Sequence, residues 1–174
     1  MDRNIFSYMQ QLEMLAFFSG YPLIFYLVRF VVHNRSFKSR RGPEIVSILP
    51  YAYALVGTLY TGLLLKNLYP DYTLENIHSR IPNPYLVIWG ILSILFWLPA
   101  MARKQIFSIL HSLVFFFFIL RDLFFQLLGL RHDSSIIKND MSMYTTSIFL
   151  NLLSFTLLAL VYFLSPFHNK HSNS

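Results

Sequence analysis

Cysteine is absent from this 174-residue chain. Its absence excludes a disulfide framework, thiolate metal ligation and a cysteine nucleophile. Charge is scarce too. Asp, Glu, Lys and Arg make up 13% of residues, against roughly 25% in a soluble domain. Asp122 is the only acid deep inside an apolar run, so a pair of carboxylates for acid/base work at bilayer depth is not expected. The signatures GxSxG, HExxH, GxGxxG and the P-loop are all missing, and with them the readiest routes to a hydrolase, a zinc protease or a nucleotide-dependent enzyme. His78, His132, His168 and His171 lie in connections or the tail without an HxxxH pair. The stretch from Met1 to Gln11 lacks the basic segment and small-residue cleavage site of a secretory signal, so the first apolar run is expected to be retained. No internal repeat is visible, which disfavours an inverted-repeat transporter.

What the chain does have is apolar length. Hydrophobic residues make up 55% of it and aromatic residues 18%. Crossing a hydrocarbon core about 30 Å thick takes roughly 20 helical residues. Residues 12–32, 45–65, 85–102, 106–130 and 144–164 meet or approach that length. None of these runs alternates apolar and polar positions as membrane strands do. The expected fold is therefore all-α and membrane-integral, one five-span helix bundle using the whole chain.

The net charge of +6 does not point to nucleic acid, because the basic residues form no folded patch. They sit in short connections instead. Arg35, Lys38, Arg40 and Arg41 form the tightest cluster, with Arg103, Lys104 and Lys170 on the same side. This bias predicts the N-terminus outside and the C-terminus in the cytoplasm. The same basic loop is expected to attract anionic lipid. Tyr69, Tyr72, Tyr85 and Trp89 are expected to form an outer aromatic belt, and Trp97 to anchor the inner side. Pro22 and Pro50 are expected to kink their spans, and Pro99 to help end the third.

The fourth run carries Arg121 and Asp122 side by side. Either charge at a helix centre costs about 2.5–3.5 kcal/mol on insertion scales. At 100° per residue, Ser108, His111, Ser112, Asp122, Gln126 and Gly129 share one face. That polar stripe should face protein or water. Arg121 lies about 100° round from Asp122, so each charge is expected to need its own partner. On the fifth run Ser147, Asn151, Ser154 and Ser165 share a face. Runs four and five are thus expected to pair as an antiparallel hairpin, with Asp122 bonded to Asn151 or Ser154. Arg29 is a second intramembrane charge, near His33 and Tyr26 on the first run, and its expected contacts are lipid phosphates. On the second run, Ala54, Thr58 and Gly62 form one small-residue ridge and Gly57 and Thr61 another. Such ridges let helix backbones approach closely.

No cofactor is expected. The expected partners are the lipid bilayer and either another membrane protein or further copies of this chain. The leading expectation is a non-catalytic subunit or scaffold of a membrane assembly, in a bacterial cytoplasmic membrane. The alternative is a small oligomeric transporter or proton-coupled channel centred on Asp122, with His111 as a second station. A membrane enzyme or a haem protein ligated by His33 and His111 comes third.

Overall fold

The computed structural model describes residues 3–34, 41–70, 72, 73, 75, 77, 81, 83–129 and 134–164. Among these residues the chain forms helices and turns and no strand. The helices are α1 (Arg3–Phe18), α2 (Tyr21–Asn34), α3 (Arg41–Leu68), α4 (Pro84–Leu92), α5 (Pro99–Ala102), α6 (Gln105–Leu127) and α7 (Ser134–Leu164), with a 3-10 stretch, Ser93–Trp97, following α4. Four helical stretches are long and apolar enough to cross a membrane: Ser7–His33, Gly42–Leu68, Gln105–Leu127 and Ser135–Leu164. The protein is an all-helical, multi-pass membrane protein on that basis.

The expected continuous third span, 85–102, does not form. Pro99 has no N–H to donate, and it holds the preceding Leu98 extended at φ −73° and ψ 125°. The chain therefore winds as α4, tightens into the 3-10 stretch, bends at Leu98 and restarts as α5. The longest apolar helical piece there, Pro84–Trp97, falls short of the other four. The first run is also interrupted. Its break lies at Ser19 and Gly20, just ahead of Pro22, so α1 and α2 are separate helices end to end. By contrast α3 continues through Pro50. The fourth run ends slightly before position 130, where Gly129 takes a positive φ of 68°, the usual glycine role just beyond a helix.

Two ends of the bundle can be told apart by their bonds. At one end Asn83 accepts from Gln10 and donates to Gln10 and Ser7, and Tyr8 donates to the carbonyl of Ile136. At the other, Arg29 and Arg103 line a common cavity with Gln105. The segment from Asn83 to Arg103 runs from the first end to the second.

The core is aromatic. Phe18 stacks on Phe115 with ring centroids 4.7 Å apart and meets Tyr53 and Tyr60 edge-on at 5.7 and 5.3 Å. Each such pair adds about 0.5–1.5 kcal/mol beyond its area. Gly90 makes this packing possible, since a Cβ there would press on the Tyr60 and Phe18 rings. The outer surface is apolar as well, with Phe149 68%, Phe117 63% and Ile106 62% exposed. In water such a surface would aggregate; in a bilayer it meets lipid.

Candidate functional site

The break between α1 and α2 exposes backbone groups that a continuous helix would satisfy internally. Residues of α7 take them up. Ser147 Oγ accepts from the N–H of Gly20 at 2.9 Å, and Asn151 Nδ2 donates to the carbonyl of Phe17 at 2.8 Å. Asn151 Nδ2 also reaches Ser147 O at 2.8 Å. With both carbonyls facing the amide nitrogen, the orientation of the Asn151 amide is fixed by chemistry. Gly20 is needed for this docking, because a Cβ would overlap the backbone of Ser147 and Ile148. A neighbouring helix re-satisfying a broken one is what allows such breaks at bilayer depth.

A second junction centres on His111 of α6. Its Nε2 lies 2.7 Å from the Trp89 carbonyl, which can only accept, so Nε2 carries the proton. In the neutral ring Nδ1 is then the acceptor, and the Tyr53 hydroxyl donates to it at 2.7 Å. Trp89 Nε1–H donates in return to the His111 carbonyl at 3.2 Å. The two rings stack at 4.8 Å, only 5° from parallel. The switch to 3-10 geometry explains why the Trp89 carbonyl is open to His111: the N–H of Ser93 turns to Gly90, three residues back. One turn away, Ser108 Oγ donates to Gln105 O at 2.7 Å and therefore accepts from the Tyr21 hydroxyl at 2.9 Å. Ser112 bonds the Ile109 carbonyl of its own helix. Both nitrogens of His111 are thus engaged, and neither is open to a metal or a haem iron.

The charges lie nearer the Asn83 end. Asp122 is 2% exposed, and Arg121 reaches round the helix to it: Nη2 and Nε lie 3.0 and 3.1 Å from Asp122 Oδ1. The expectation of separate partners was wrong. An arginine's length covers the 100° between neighbouring residues, and where water is scarce an ion pair offsets part of the insertion cost. The guanidinium also lies 5.2 Å above the Phe118 ring. Gln11 of α1 donates to Asp122 Oδ2 at 3.4 Å.

The expected bond from Asp122 to Asn151 or Ser154 is likewise absent. Gln11 and Phe17 are six residues apart, so the Asp122 and Asn151 bonding partners differ by about 9 Å in depth along α1. The α7 helix packs chiefly on α1 and α3 and less on α6. Open backbone groups at the helix break drew Asn151 away from a carboxylate that already had Arg121. Ser154 lies buried one turn beyond Asn151, and Gln126 is half-buried with no side-chain hydrogen bond among the described residues.

The small-residue ridges divide. Ala54 and Gly57 are buried, and a Cβ on Gly57 would overlap Ser93. Thr58 is exposed and accepts from Trp97 Nε1 at 3.0 Å. Thr61 bonds the Gly57 carbonyl, and Gly62 faces open space. Arg29 is exposed at the second end. Arg35, Lys38 and Arg40 lie outside the described residues, as does the side chain of Arg41. Sequence reasoning missed Tyr21, Tyr53 and Gln11, and it did not foresee that the Trp89 ring stacks on His111. The available signal was local: Trp89-Gly90 precedes a serine and a proline that disturb a helix. No family model matches the chain, and no curated protein or solved structure shows significant similarity to it.

Proposed function

We propose that this chain is a non-catalytic integral membrane subunit, a scaffold for a larger membrane assembly. The observation that carries this reading is how the buried polar groups are used. Ser108 joins α6 to α2, His111 joins it to α3 and α4, and Asp122 joins it to α1, while Ser147 and Asn151 join α7 to the α1–α2 break. All of these bonds hold helices together. A transport path centred on Asp122 has less support, since Asp122 is paired with Arg121 and His111 is enclosed by Trp89, Tyr53, Phe96 and Phe115.

The proposed topology has five crossings, with the N-terminus outside and the basic 35–41 loop in the cytoplasm. The irregular segment from α4 to α5 serves as the third. Its 3-10 stretch rises about 2.0 Å per residue instead of 1.5 Å, so α4 through α5 reaches about 30 Å despite its breaks. The short connections fit a bacterial cytoplasmic membrane.

Because the chain has no cysteine, single cysteines report topology cleanly. With an impermeant maleimide on intact cells, Thr73→Cys is expected to label, and Ser36→Cys and Lys104→Cys only after permeabilisation. Labelling of Lys104→Cys and Thr73→Cys from the same side would remove the third crossing. For the assembly role, the full chain purified in gentle detergent is expected to carry a stoichiometric membrane partner or to form a defined homo-oligomer. A monodisperse monomer without partners overturns it.

A further inference from the structure

Arg29 near the end of α2 and Arg103 just after α5 line the same cavity, about 380 Å³ in volume. That lies within the range of small-molecule sites, about 300–1,000 Å³. Neither guanidinium has an ion-pair or hydrogen-bond partner among the described residues. Two guanidinium groups from different elements, brought together without a carboxylate, call for an anion. The rest of the wall states what kind. Ile106, Leu110 and Leu113 continue from the arginines along one face of α6, and Ile106 and Leu110 are 62% and 54% exposed. The Tyr26 ring, also lining the cavity, is 58% exposed and its hydroxyl has no partner among the described residues. A free phosphate would use the arginines and leave this apolar wall bare.

We propose that this cleft between α2 and α6 binds one anionic phospholipid, its phosphate between Arg29 and Arg103 and an acyl chain along Ile106, Leu110 and Leu113. Guanidinium groups suit a phosphate through forked, paired hydrogen bonds. Basic pockets between membrane helices on the cytoplasmic side take anionic headgroups in this way. The inference rests on the chain being membrane-embedded and is independent of whether it serves as a scaffold.

The test is lipid binding to the full-length protein in detergent, followed by native mass spectrometry. Dioleoylphosphatidylglycerol is titrated against dioleoylphosphatidylcholine, with inorganic phosphate as a competitor. The anionic lipid is expected to bind at least tenfold more tightly than the zwitterionic one. Arg29→Gln and Arg103→Gln should each weaken it about fivefold, and the double variant should bind both lipids alike. The charge-preserving pair Arg29→Lys and Arg103→Lys, purified in parallel, should retain most of the preference, whereas Lys66→Gln at the opposite end should retain all of it. Equal binding of the two lipids to the wild type overturns the site, as does an unchanged preference in a monodisperse Arg29→Gln/Arg103→Gln protein. Displacement of the lipid by millimolar inorganic phosphate would show a simple anion site and overturn the lipid assignment.

Discussion

The two halves of α7 differ in composition and in surroundings: most of its polar residues precede Ser154, and residues 155–164 are apolar but for Thr156. Every described residue that is buried on this helix is polar: Asp140, Ser147, Asn151 and Ser154. At 100° per residue they occupy one narrow face. Beyond Ser154 no described residue of α7 is buried, and Leu157, Leu160 and Val161 are 50%, 56% and 59% exposed. In water the leucines would be the ones inside. In a bilayer a leucine gains little by leaving lipid for protein, because both are equally apolar, whereas a polar group has nowhere else to find a partner. Polar residues therefore decide which part of the helix docks. The break at Ser19–Gly20 gives them something to dock against.

The largest effect should come from filling the docking point. Gly20→Leu forces a side chain into the backbone of Ser147 and Ile148. Overpacking typically costs 1–3 kcal/mol, and here the neighbour is backbone that cannot rotate away. We expect a loss of about 3 kcal/mol or more, measured as a shift in the midpoint of an SDS titration from mild detergent. An unchanged midpoint would mean that α7 does not hold the break.

The same rule extends to α6, where Ser108, His111, Ser112 and Asp122 are buried among apolar neighbours. His111→Phe conserves ring size and stacking on Trp89 but leaves the Trp89 carbonyl and the Tyr53 hydroxyl without their partner. We expect a loss of about 2 kcal/mol and altered tryptophan emission. Asn151→Leu should cost less, about 1–2 kcal/mol, because its main loss is the bond to the Phe17 carbonyl. If both variants are as stable as the wild type, hydrophobic packing and not polar contact assembles the bundle.

These residues were only partly legible in the sequence. Helical periodicity places Ser108, His111, Ser112, Asp122, Gln126 and Gly129 on one face; the first four are buried, Gln126 is half-buried and Gly129 is exposed. Their partners were not legible. A tyrosine in an apolar run, such as Tyr53 or Tyr21, looks the same whether it faces lipid or bonds a buried histidine; only the fold brings α3 and α2 against α6. The break in the first run had a local cue in Gly20 and Pro22, but it was read as a kink, and the open Phe17 carbonyl went unconsidered. Pairing Asp122 with Asn151 assumes a fifth span that starts near position 144, and the assumption fails because α7 begins at Ser134, ten residues earlier. Arg121 and Asp122 were separated by the angle of their Cβ atoms alone. Side-chain reach, which joins them, is not in a helical wheel.

The smallest expected effect is the most informative about partners. Leu157→Ala removes a large side chain that is half exposed on the outer half of α7. If lipid or detergent is its only neighbour, the removed volume is refilled at once, and the change should stay within about 0.5 kcal/mol. A buried leucine truncated inside a protein contact would instead cost about 2–5 kcal/mol. The comparison becomes sharper when the variant is measured twice, in the native membrane and as the purified chain. A loss confined to the membrane sample would show that this half of α7 is covered by another protein there. It would also locate the assembly interface on the apolar half of the helix, away from the polar residues that hold the fold.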